Sequence, residues 1–207
     1  MDFLRKLFAV LLLCFAVQAQ AEVMEGRDYK VLKPAQPVSS GNKVEVLEFF
    51  FYGCSHCYHL HGPLSSWEKT MPKDVDLQYV PVIFRDSWEP MARTFYALEA
   101  IGQREHLHND LFEAWNVFGT DLSDQQKIAA FVAKRGVDRS KFDAAYNSFS
   151  LAGKVARSNQ LVRSYGVRGT PTIAVDGKYI ITGLEPAETI RVLNEVIKIA
   201  RKERSKR

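Results

Sequence analysis

The sequence has 207 residues, of which 46% are hydrophobic, 25% charged and 12% aromatic. These fractions are typical of a globular protein and exclude collagen-like, low-complexity and fully disordered chains. The three cysteines are too few for a disulfide-dense scaffold or a zinc site of four thiolates, and a net charge of +4 is too small to indicate nucleic-acid binding.

The first 21 residues have the pattern of a secretory signal peptide. Two basic residues precede an apolar run at 7–17, and Ala-Gln-Ala at 19–21 is the small-x-small pattern that signal peptidase recognises. The apolar run is well short of the roughly 20 residues that span a bilayer, which argues against a transmembrane anchor. A lipidated Cys14 is a weaker alternative because Leu13 is bulky where such sequences usually carry a small residue. We therefore expect export and cleavage after residue 21.

Residues 22–86 are expected to form the first half of an α/β unit. The segment at 22–42 holds four glycine or proline breakers and predicts at most one short strand. The β-branched and aromatic run at 43–52 predicts a strand that is buried on both faces. Glu48 lies in the middle of this run, where its apolar neighbours favour burial of the carboxyl group.

A helix and a second strand follow in the same half. Residues 54–69 mix polar and aromatic side chains at helical spacing and predict a helix interrupted by Pro63. Residues 76–84 predict the second strand. Because Pro81 cannot donate a ladder hydrogen bond, this strand is expected at a sheet edge or a bulge.

Residues 87–161 predict a block of helices. Apolar residues recur there at helical spacing, glycines punctuate the pattern, and Ser123 and Asp138 are plausible helix N-caps. A segment of about 70 residues is too long for one loop in a compact domain. We expect an inserted helical domain or a separate bundle.

The second half of the α/β unit is expected at 162–200. Short apolar runs at 172–175 and 179–182 flank an Asp-Gly pair, which is a strong hairpin signal. A last amphipathic helix is predicted at 188–201. Residues 201–207 hold five basic residues and one acid and are expected to form a flexible basic tail, which could graze an anionic membrane face.

The chemistry points to Cys54-Ser55-His56-Cys57, at the junction of the first strand and its helix. Helical geometry brings the two sulfurs close enough for a disulfide in a small ring. The first cysteine lies at the positive end of the helix dipole, beside backbone N–H groups without helical partners, which stabilises a thiolate. His56 adds a group that can donate a hydrogen bond or carry positive charge. Because a stabilised thiolate is a good leaving group, such a disulfide oxidises other proteins.

The motif has two other interpretations. A purely structural disulfide is disfavoured because so small a ring barely constrains the unfolded chain. A copper or zinc site, as in a metallochaperone, would use Cys54, Cys57, His59 and His61. Histidines two residues apart point to different faces of a helix, which disfavours the metal site.

Residues 44–58, VEVLEFFFYGCSHCY, resemble the active-site strand and helix of the DsbA-type thiol:disulfide oxidoreductases of the thioredoxin superfamily. The segment GVRGTPT at 166–172 resembles the superfamily's cis-proline loop, and the helical block lies where this family inserts a helical domain. The resemblance implies an α/β thioredoxin-like fold, a central mixed sheet flanked by helices, with an inserted helical domain. The expected divisions are a signal peptide at 1–21, thioredoxin-like parts at 22–86 and 162–200, the insertion at 87–161 and the tail at 201–207.

The resemblance also implies roles for individual residues. Cys54 resembles the exposed cysteine that is attacked and later leaves, and Cys57 resembles its buried partner. His56 resembles the histidine that favours the reduced form by stabilising the Cys54 thiolate. Pro171 is expected to follow a cis peptide bond, which X-Pro permits, and the Thr170 backbone is expected to pair with an extended substrate peptide.

Glu48 resembles the buried acid beneath the active-site disulfide. Burial raises the pKa of a carboxyl group, so this residue is predicted to relay protons to Cys57. The sequence departs from the best-known family members at Ser55, where they carry proline, which leaves the oxidising strength open. It also departs at His59 and His61, which stand in place of acidic residues and are most simply solvated helix positions.

The function implied by the resemblance is a periplasmic dithiol oxidase. It would donate its disulfide to paired cysteines of unfolded exported proteins and be reoxidised by a membrane partner of the DsbB type. No cofactor beyond the Cys54–Cys57 disulfide, no metal and no nucleic acid is expected. We expect a monomer, since the residues before Lys43 are too few for the dimerisation domain of isomerase relatives. A reductase or isomerase of the same fold remains an alternative, because the direction depends on redox partners.

Overall fold

A computed structural model describes residues 22–206, so the predicted signal peptide and Cys14 lie outside the described residues. The described part alternates strands and helices, with a run of helices in its middle. In chain order the elements are β1 (Lys30–Val31), β2 (Val44–Phe50), α1 (Ser55–Glu68), β3 (Val75–Pro81), a 3₁₀ turn (Asp86–Trp88), α2 (Glu89–Ala100), α3 (Arg104–Asn116), α4 (Gln125–Ala133), α5 (Arg139–Tyr146), α6 (Phe149–Ser164), β4 (Thr172–Val175), β5 (Tyr179–Thr182) and α7 (Pro186–Arg204).

The strands of the described part form one mixed sheet in the order β1-β5-β4-β2-β3. Strand β2 pairs parallel with β3 and antiparallel with β4, and the β4–β5 and β1–β5 pairs are antiparallel. Every residue of β2 is buried, which confirms the prediction of a strand covered on both faces. Pro81 is the last residue of β3, which lies at the edge of the sheet as predicted.

The chain turns sharply between β2 and α1, and glycine is required there. A Cβ atom at Gly53 would lie 2.5 Å from the Phe51 ring and 2.8 Å from the Trp115 ring. Phe51 in turn stacks on Trp88 at 3.8 Å between ring centroids. The close approach of these rings to the backbone fixes the path by which the chain enters the first turn of α1.

Helices α2 to α6 lie between β3 and β4, where the sequence predicted a helical block. Asp138 caps α5 by accepting a hydrogen bond from the Lys141 N–H, as the sequence suggested. The predicted cap at Ser123 is wrong, because α4 is capped by Asp124, whose side chain accepts from Lys127 N–H. The last helix of the block, α6, runs to residue 164, a few residues beyond the expected boundary.

The hairpin β4–β5 has the predicted bounds, with Asp176 at φ 53° and Gly177 at φ 70° in its turn. The last helix, α7, is longer than predicted and runs from 186 to 204. The prediction of a flexible tail is therefore wrong for residues 201–204, which are helical. Arg201 donates two hydrogen bonds of 2.7 Å to Asp74, and Arg204 donates three of 2.5 to 3.0 Å to Asp176. These basic residues thus hold the end of the helix at turns that adjoin β3 and β4.

The sheet is covered on both faces. On one side α1, α7 and the helical block bury a large core around Phe50. On the other side a smaller group of buried residues surrounds Phe49 and Tyr165. Among residues 22–206, no helix is both long and apolar enough to cross a bilayer.

Candidate active site

The two cysteines of the described chain lie at the start of α1 and are both free thiols in this structure. Cys54 is the residue before the helix and has extended backbone angles, φ −93° and ψ 116°. Its carbonyl oxygen accepts a 3.0 Å hydrogen bond from the Tyr58 N–H, which closes the first helical turn. Cys54 is half-buried, whereas Cys57, one turn further on, is completely buried.

The environment of Cys54 favours its thiolate. Its pKa falls to about 5, first because the Cys57 thiol donates a hydrogen bond to it, and further because of hydrogen bonds from Thr170 and from the backbone N–H groups of Cys57 and His56. Partial burial opposes this shift. His56 itself is exposed, and its backbone N–H is among the groups that lower the Cys54 pKa.

The environment of Cys57 favours its protonated thiol. Burial raises the pKa of this thiol strongly, and its hydrogen bond to Cys54 and the nearby charge of Glu48 raise it further. Two thiols on one helical turn therefore have opposite protonation preferences. Cys54 is suited to leave as a thiolate, and Cys57 must gain a proton whenever its bond to Cys54 breaks.

The loop before β4 lies against the Cys54 thiol. The Thr170–Pro171 peptide bond is cis, and the Cys54 Sγ lies 3.3 Å from the Thr170 carbonyl oxygen. Thr172 Oγ1 donates to the Gly169 carbonyl at 2.8 Å, and Thr182 Oγ1 donates to the Pro171 carbonyl at 3.2 Å. These side-chain hydrogen bonds fix the loop to both strands of the hairpin, directly beside the thiol.

Glu48 is buried, as its apolar neighbours in the sequence predicted, with 2% of its surface exposed. It lies on β2 between Tyr79 of β3 and Ile173 of β4. Its Oε1 atom has no hydrogen-bond partner among the described residues. Burial raises the pKa of Glu48 to about 8, with smaller contributions from the charges of Glu68 and Cys54. At this pKa the carboxyl group is mostly protonated at neutral pH.

The other polar residues in the first half of α1 differ in their exposure to solvent. Ser55 and His59 are exposed, and His59 lines a small cavity of about 190 Å³ beside Pro171. His61 is half-buried and contacts the rings of His108, at 4.8 Å, and Phe112, at 5.1 Å. Within residues 22–206, no three His, Cys, Asp or Glu side chains are placed to hold a metal ion together.

The structure also brings residues to this region that the sequence did not single out. The Tyr52 hydroxyl lies 2.7 Å from Nδ1 of His108, a buried contact between the end of β2 and α3. Tyr79 donates a 2.7 Å hydrogen bond to Glu68. No sequence motif marks these residues. In the sequence, a single histidine or tyrosine among apolar residues looks the same as an ordinary core residue.

A model of the DSBA-like thioredoxin domain family matches residues 73–193 of this chain. A thiol:disulfide interchange protein DsbA of Burkholderia cepacia is 40% identical over 183 residues, covering 85% of this chain and 86% of the relative. A protein of the same name from Pseudomonas aeruginosa is 35% identical over 187 residues, covering 88% of this chain and 89% of the relative.

Solved structures agree with these relatives. The crystal structure of Pseudomonas aeruginosa DsbA has a TM-score of 0.85 and 33% identity, covering 88% of this chain and 97% of that one. The oxidoreductase NmDsbA1 from Neisseria meningitidis has a TM-score of 0.82 and 27% identity, covering 90% and 98%. The thioredoxin-like fold with a helical insertion is therefore shared over nearly the whole described chain.

Proposed function

This chain belongs to the DsbA-like thioredoxin family and is a thiol:disulfide oxidoreductase, and from that premise we propose that it oxidises paired cysteines of exported proteins by donating a Cys54–Cys57 disulfide. The observation that carries the direction is the contrast between the two thiols. A pKa of about 5 at Cys54 stabilises the reduced protein, because the thiolate is favoured there and does not exist in the disulfide. A stabilised reduced form makes the disulfide a strong oxidant.

The first step is attack on the protein disulfide. A substrate thiolate attacks the Cys54 sulfur, a substrate–Cys54 disulfide forms, and the Cys54–Cys57 bond breaks. The electron pair of that bond leaves on Cys57 as a thiolate. Because the pKa of Cys57 is strongly raised, this thiolate takes up a proton, which the protonated Glu48 is placed to supply.

The second step releases the product. The second thiolate of the substrate attacks the substrate sulfur of the mixed disulfide, and Cys54 leaves as a stable thiolate. The substrate has then lost two electrons and carries a disulfide, and the protein holds those electrons as a Cys54 thiolate and a Cys57 thiol. The chemistry uses the protein's own cysteines and needs no further cofactor.

Substrate binding is assigned to the loop before β4. Support for this comes from the position of Thr170 and Pro171 next to the Cys54 sulfur and from the hydrogen bonds that hold the loop to the hairpin. An extended peptide can pair with the Thr170 backbone as an added strand, which places a substrate cysteine beside Cys54. Ser55 and His56 are exposed next to the same sulfur, where they contact the incoming peptide.

We assign this protein to the periplasm, as a monomer that is reoxidised by a membrane protein of the DsbB type. Support for export comes from the charged start, short apolar run and Ala-Gln-Ala pattern at 19–21. An oxidising compartment also fits a protein whose function depends on an unstable disulfide. Recovery of the mature chain from the periplasmic fraction, with its N-terminus determined by sequencing, tests the assignment to the periplasm.

The decisive measurement is the equilibrium redox potential of the cysteine pair against glutathione, together with the oxidation rate of a dithiol peptide. We expect a strongly oxidising potential and stoichiometric peptide oxidation by the oxidised protein. Cys54→Ser is expected to abolish oxidation, while Cys57→Ser accumulates a mixed disulfide with glutathione at Cys54. His106→Gln, at an exposed histidine of α3 in the helical block, serves as the matched control.

The same measurement separates the alternative functions. A potential near that of thioredoxin would favour a reductase or isomerase and contradict the oxidase. Stoichiometric copper or zinc in the reduced purified protein, with no thiol exchange, would instead favour a metallochaperone. Both outcomes are distinct from the expected one.

A further inference from the structure

The sheet has an open edge along β3, the outermost strand beside β2. Strand β2 bonds to the other side of β3, beginning with the Val44 N–H, which donates to the Asp74 carbonyl. Because the backbone groups of successive residues alternate between the two sides of a strand, those of Leu77 and Tyr79 face away from β2. Neither of these N–H groups has a hydrogen-bond partner among residues 22–206. Such an edge can pair with another extended chain.

A groove of about 300 Å³ follows this edge, and we call it the β3 groove. One wall is formed by four consecutive residues of β3, 77–80, and the other by residues of α2 and α6, among them Tyr96 and Leu161. The Arg104 guanidinium also lines it and lies over the Tyr79 ring, 4.9 Å from the ring centroid. A wall of four strand residues is about 13 Å long, so the groove has the shape of an extended segment.

The charged side chains of the β3 groove are mostly basic. Arg104, Lys154 and Arg157 line it together with one carboxylate, that of Glu99. Lys154 is paired with Glu99, and Arg104 lies 3.5 Å from the exposed carboxylate of Glu105. Arg157 is exposed and forms no ion pair within the described chain. The groove therefore favours an acidic occupant.

We propose that the β3 groove is a second substrate-binding site, which takes an extended, acidic segment of an unfolded protein as an added strand. The inference rests on the proposed function, because that function makes unfolded chains the substrates. The segment bonds through its backbone to Leu77 and Tyr79, and its acidic side chains meet Arg104 and Arg157. A second copy of this chain fits the groove less well, because its own β3 brings the same cations to the interface.

A segment bound at β3 stays close to the reacting sulfur. Strand β3 runs parallel to β2, the strand that leads to Cys54. A substrate held in the β3 groove therefore meets Cys54 at a raised effective concentration. An acidic segment appended to a dithiol peptide should lower the KM for its oxidation, while kcat stays the same because the chemistry at the cysteines is unchanged.

The binding test uses a cysteine-free peptide of four valine-glutamate repeats with blocked ends, and the matching valine-lysine peptide as its control. In amide NMR of the protein, we expect the acidic peptide alone to shift the Leu77 and Tyr79 signals and slow their hydrogen exchange. Arg157→Glu should weaken this binding about tenfold. Arg139→Glu, at an exposed arginine of α5 outside the groove, is the matched control and should bind as the wild type does.

A second variant tests the strand pairing itself. Leu77→Pro removes one outward N–H at a position where an edge strand tolerates proline, and it should also weaken binding. The kinetic test compares a dithiol peptide with and without the acidic segment. We expect the segment to lower KM about tenfold in the wild type and to have no such effect in Arg157→Glu. Both proteins should oxidise the bare dithiol peptide equally.

Three results would overturn the inference. They are Leu77 and Tyr79 amides that do not respond to the acidic peptide, equal binding of the basic peptide, and a KM advantage that survives Arg157→Glu. Shifts of the same amides with protein concentration alone would also contradict it, because they would show that a second copy occupies the edge. A wild type that oxidises no dithiol peptide would overturn the proposed function instead.

Discussion

At the scale of single residues, the two cysteine thiols have opposite pKa shifts although they lie within one turn of α1. Cys54 lies before the first helical residue, where backbone N–H groups and the Cys57 thiol face its sulfur. Cys57 is completely buried, and burial favours its neutral thiol. The position of each sulfur relative to the helix start thus favours a thiolate at Cys54 and a neutral thiol at Cys57.

This asymmetry predicts the alkylation behaviour of the reduced protein. Because the pKa of Cys54 is lowered to about 5, its reaction with iodoacetamide should rise with a midpoint near that pH. Cys57 should remain unmodified throughout the neutral range while the protein stays folded. Mass spectrometry of the modified peptides, with thiolate absorbance as a second readout, checks both statements. A midpoint near the ordinary cysteine value would contradict the assigned roles.

The raised pKa of Glu48 predicts that the stability of the folded protein depends on pH. The pKa of Glu48 in the folded protein, about 8, lies above the ordinary value of 4.5. The stability that the protonated carboxyl group gives the folded state is therefore fully present below pH 4.5 and is lost as the pH rises toward 8. Glutamine does not ionise, so Glu48→Gln removes this pH-dependent loss of stability. In the oxidised protein, we expect the substitution to become progressively more stabilising between those pH values, by a few kcal/mol and at most about 5.

Urea denaturation of wild type and Glu48→Gln at several pH values measures this difference. Glu99→Gln offers a control, since Glu99 is an exposed ion-pair partner of Lys154 on the helical block. A constant difference between wild type and Glu48→Gln across the pH range would mean that the carboxyl group is already ionised in the folded protein.

The residues of this site were predictable to different degrees. Local order along the chain identifies the cysteine pair and the burial of Glu48, because each depends on its own neighbours in sequence. Thr170 and Pro171 were identified by the resemblance of residues 166–172 to the cis-proline loop of the superfamily. The contact of Glu68 with Tyr79, and that of Tyr52 with His108, join residues from different elements. Such pairs depend on how the helices pack on the sheet, and no local spacing in the sequence encodes that.

At the scale of elements, the hairpin β4–β5 could be predicted from the sequence, whereas the end of α7 could not. The hairpin before it was predicted correctly, because an Asp-Gly turn sets the register of both strands locally. The end of α7 was predicted too early, because ion pairs with distant partners stabilise its last turn. Composition alone makes a run of basic residues look like a solvated tail.

One of these ion pairs predicts a stability effect. The side chain of Asp176 in the hairpin turn is 8% exposed, and Arg204 is its ion-pair partner. Arg204→Ala leaves that carboxylate partly buried without its cation, so we expect a loss of about 1–3 kcal/mol in the free energy of unfolding. Lys198→Ala is the control on the same helix, because its pair with Glu195 is more exposed and should change stability by less than about 0.5 kcal/mol. Equal effects in urea titrations would show that the hairpin turn does not depend on Arg204.

At the scale of the whole molecule, the helical insertion and the thioredoxin-like part share one core. Phe50 of β2 contacts the rings of Phe95 on α2 and Phe112 on α3, at 5.4 and 5.8 Å between centroids. Asn116 of α3 also donates a 2.8 Å hydrogen bond to the Tyr52 carbonyl. These contacts lie directly beneath the strand that leads to Cys54, so the insertion supports the active-site strand from below.

A shared core predicts that both parts unfold together. Phe95 is 1% exposed on α2, and truncation to alanine leaves a cavity against Phe50 and His108, which should cost about 3–5 kcal/mol. Phe149→Ala is the matched control: the same change at a side chain that is 95% exposed should cost less than about 0.5 kcal/mol. In the reduced Phe95→Ala protein, loss of helical circular dichroism and exposure of the buried Cys57 thiol should follow one urea transition. If the helical signal is lost first while Cys57 stays protected, the insertion is a separately folding unit, and the active-site strand does not depend on it.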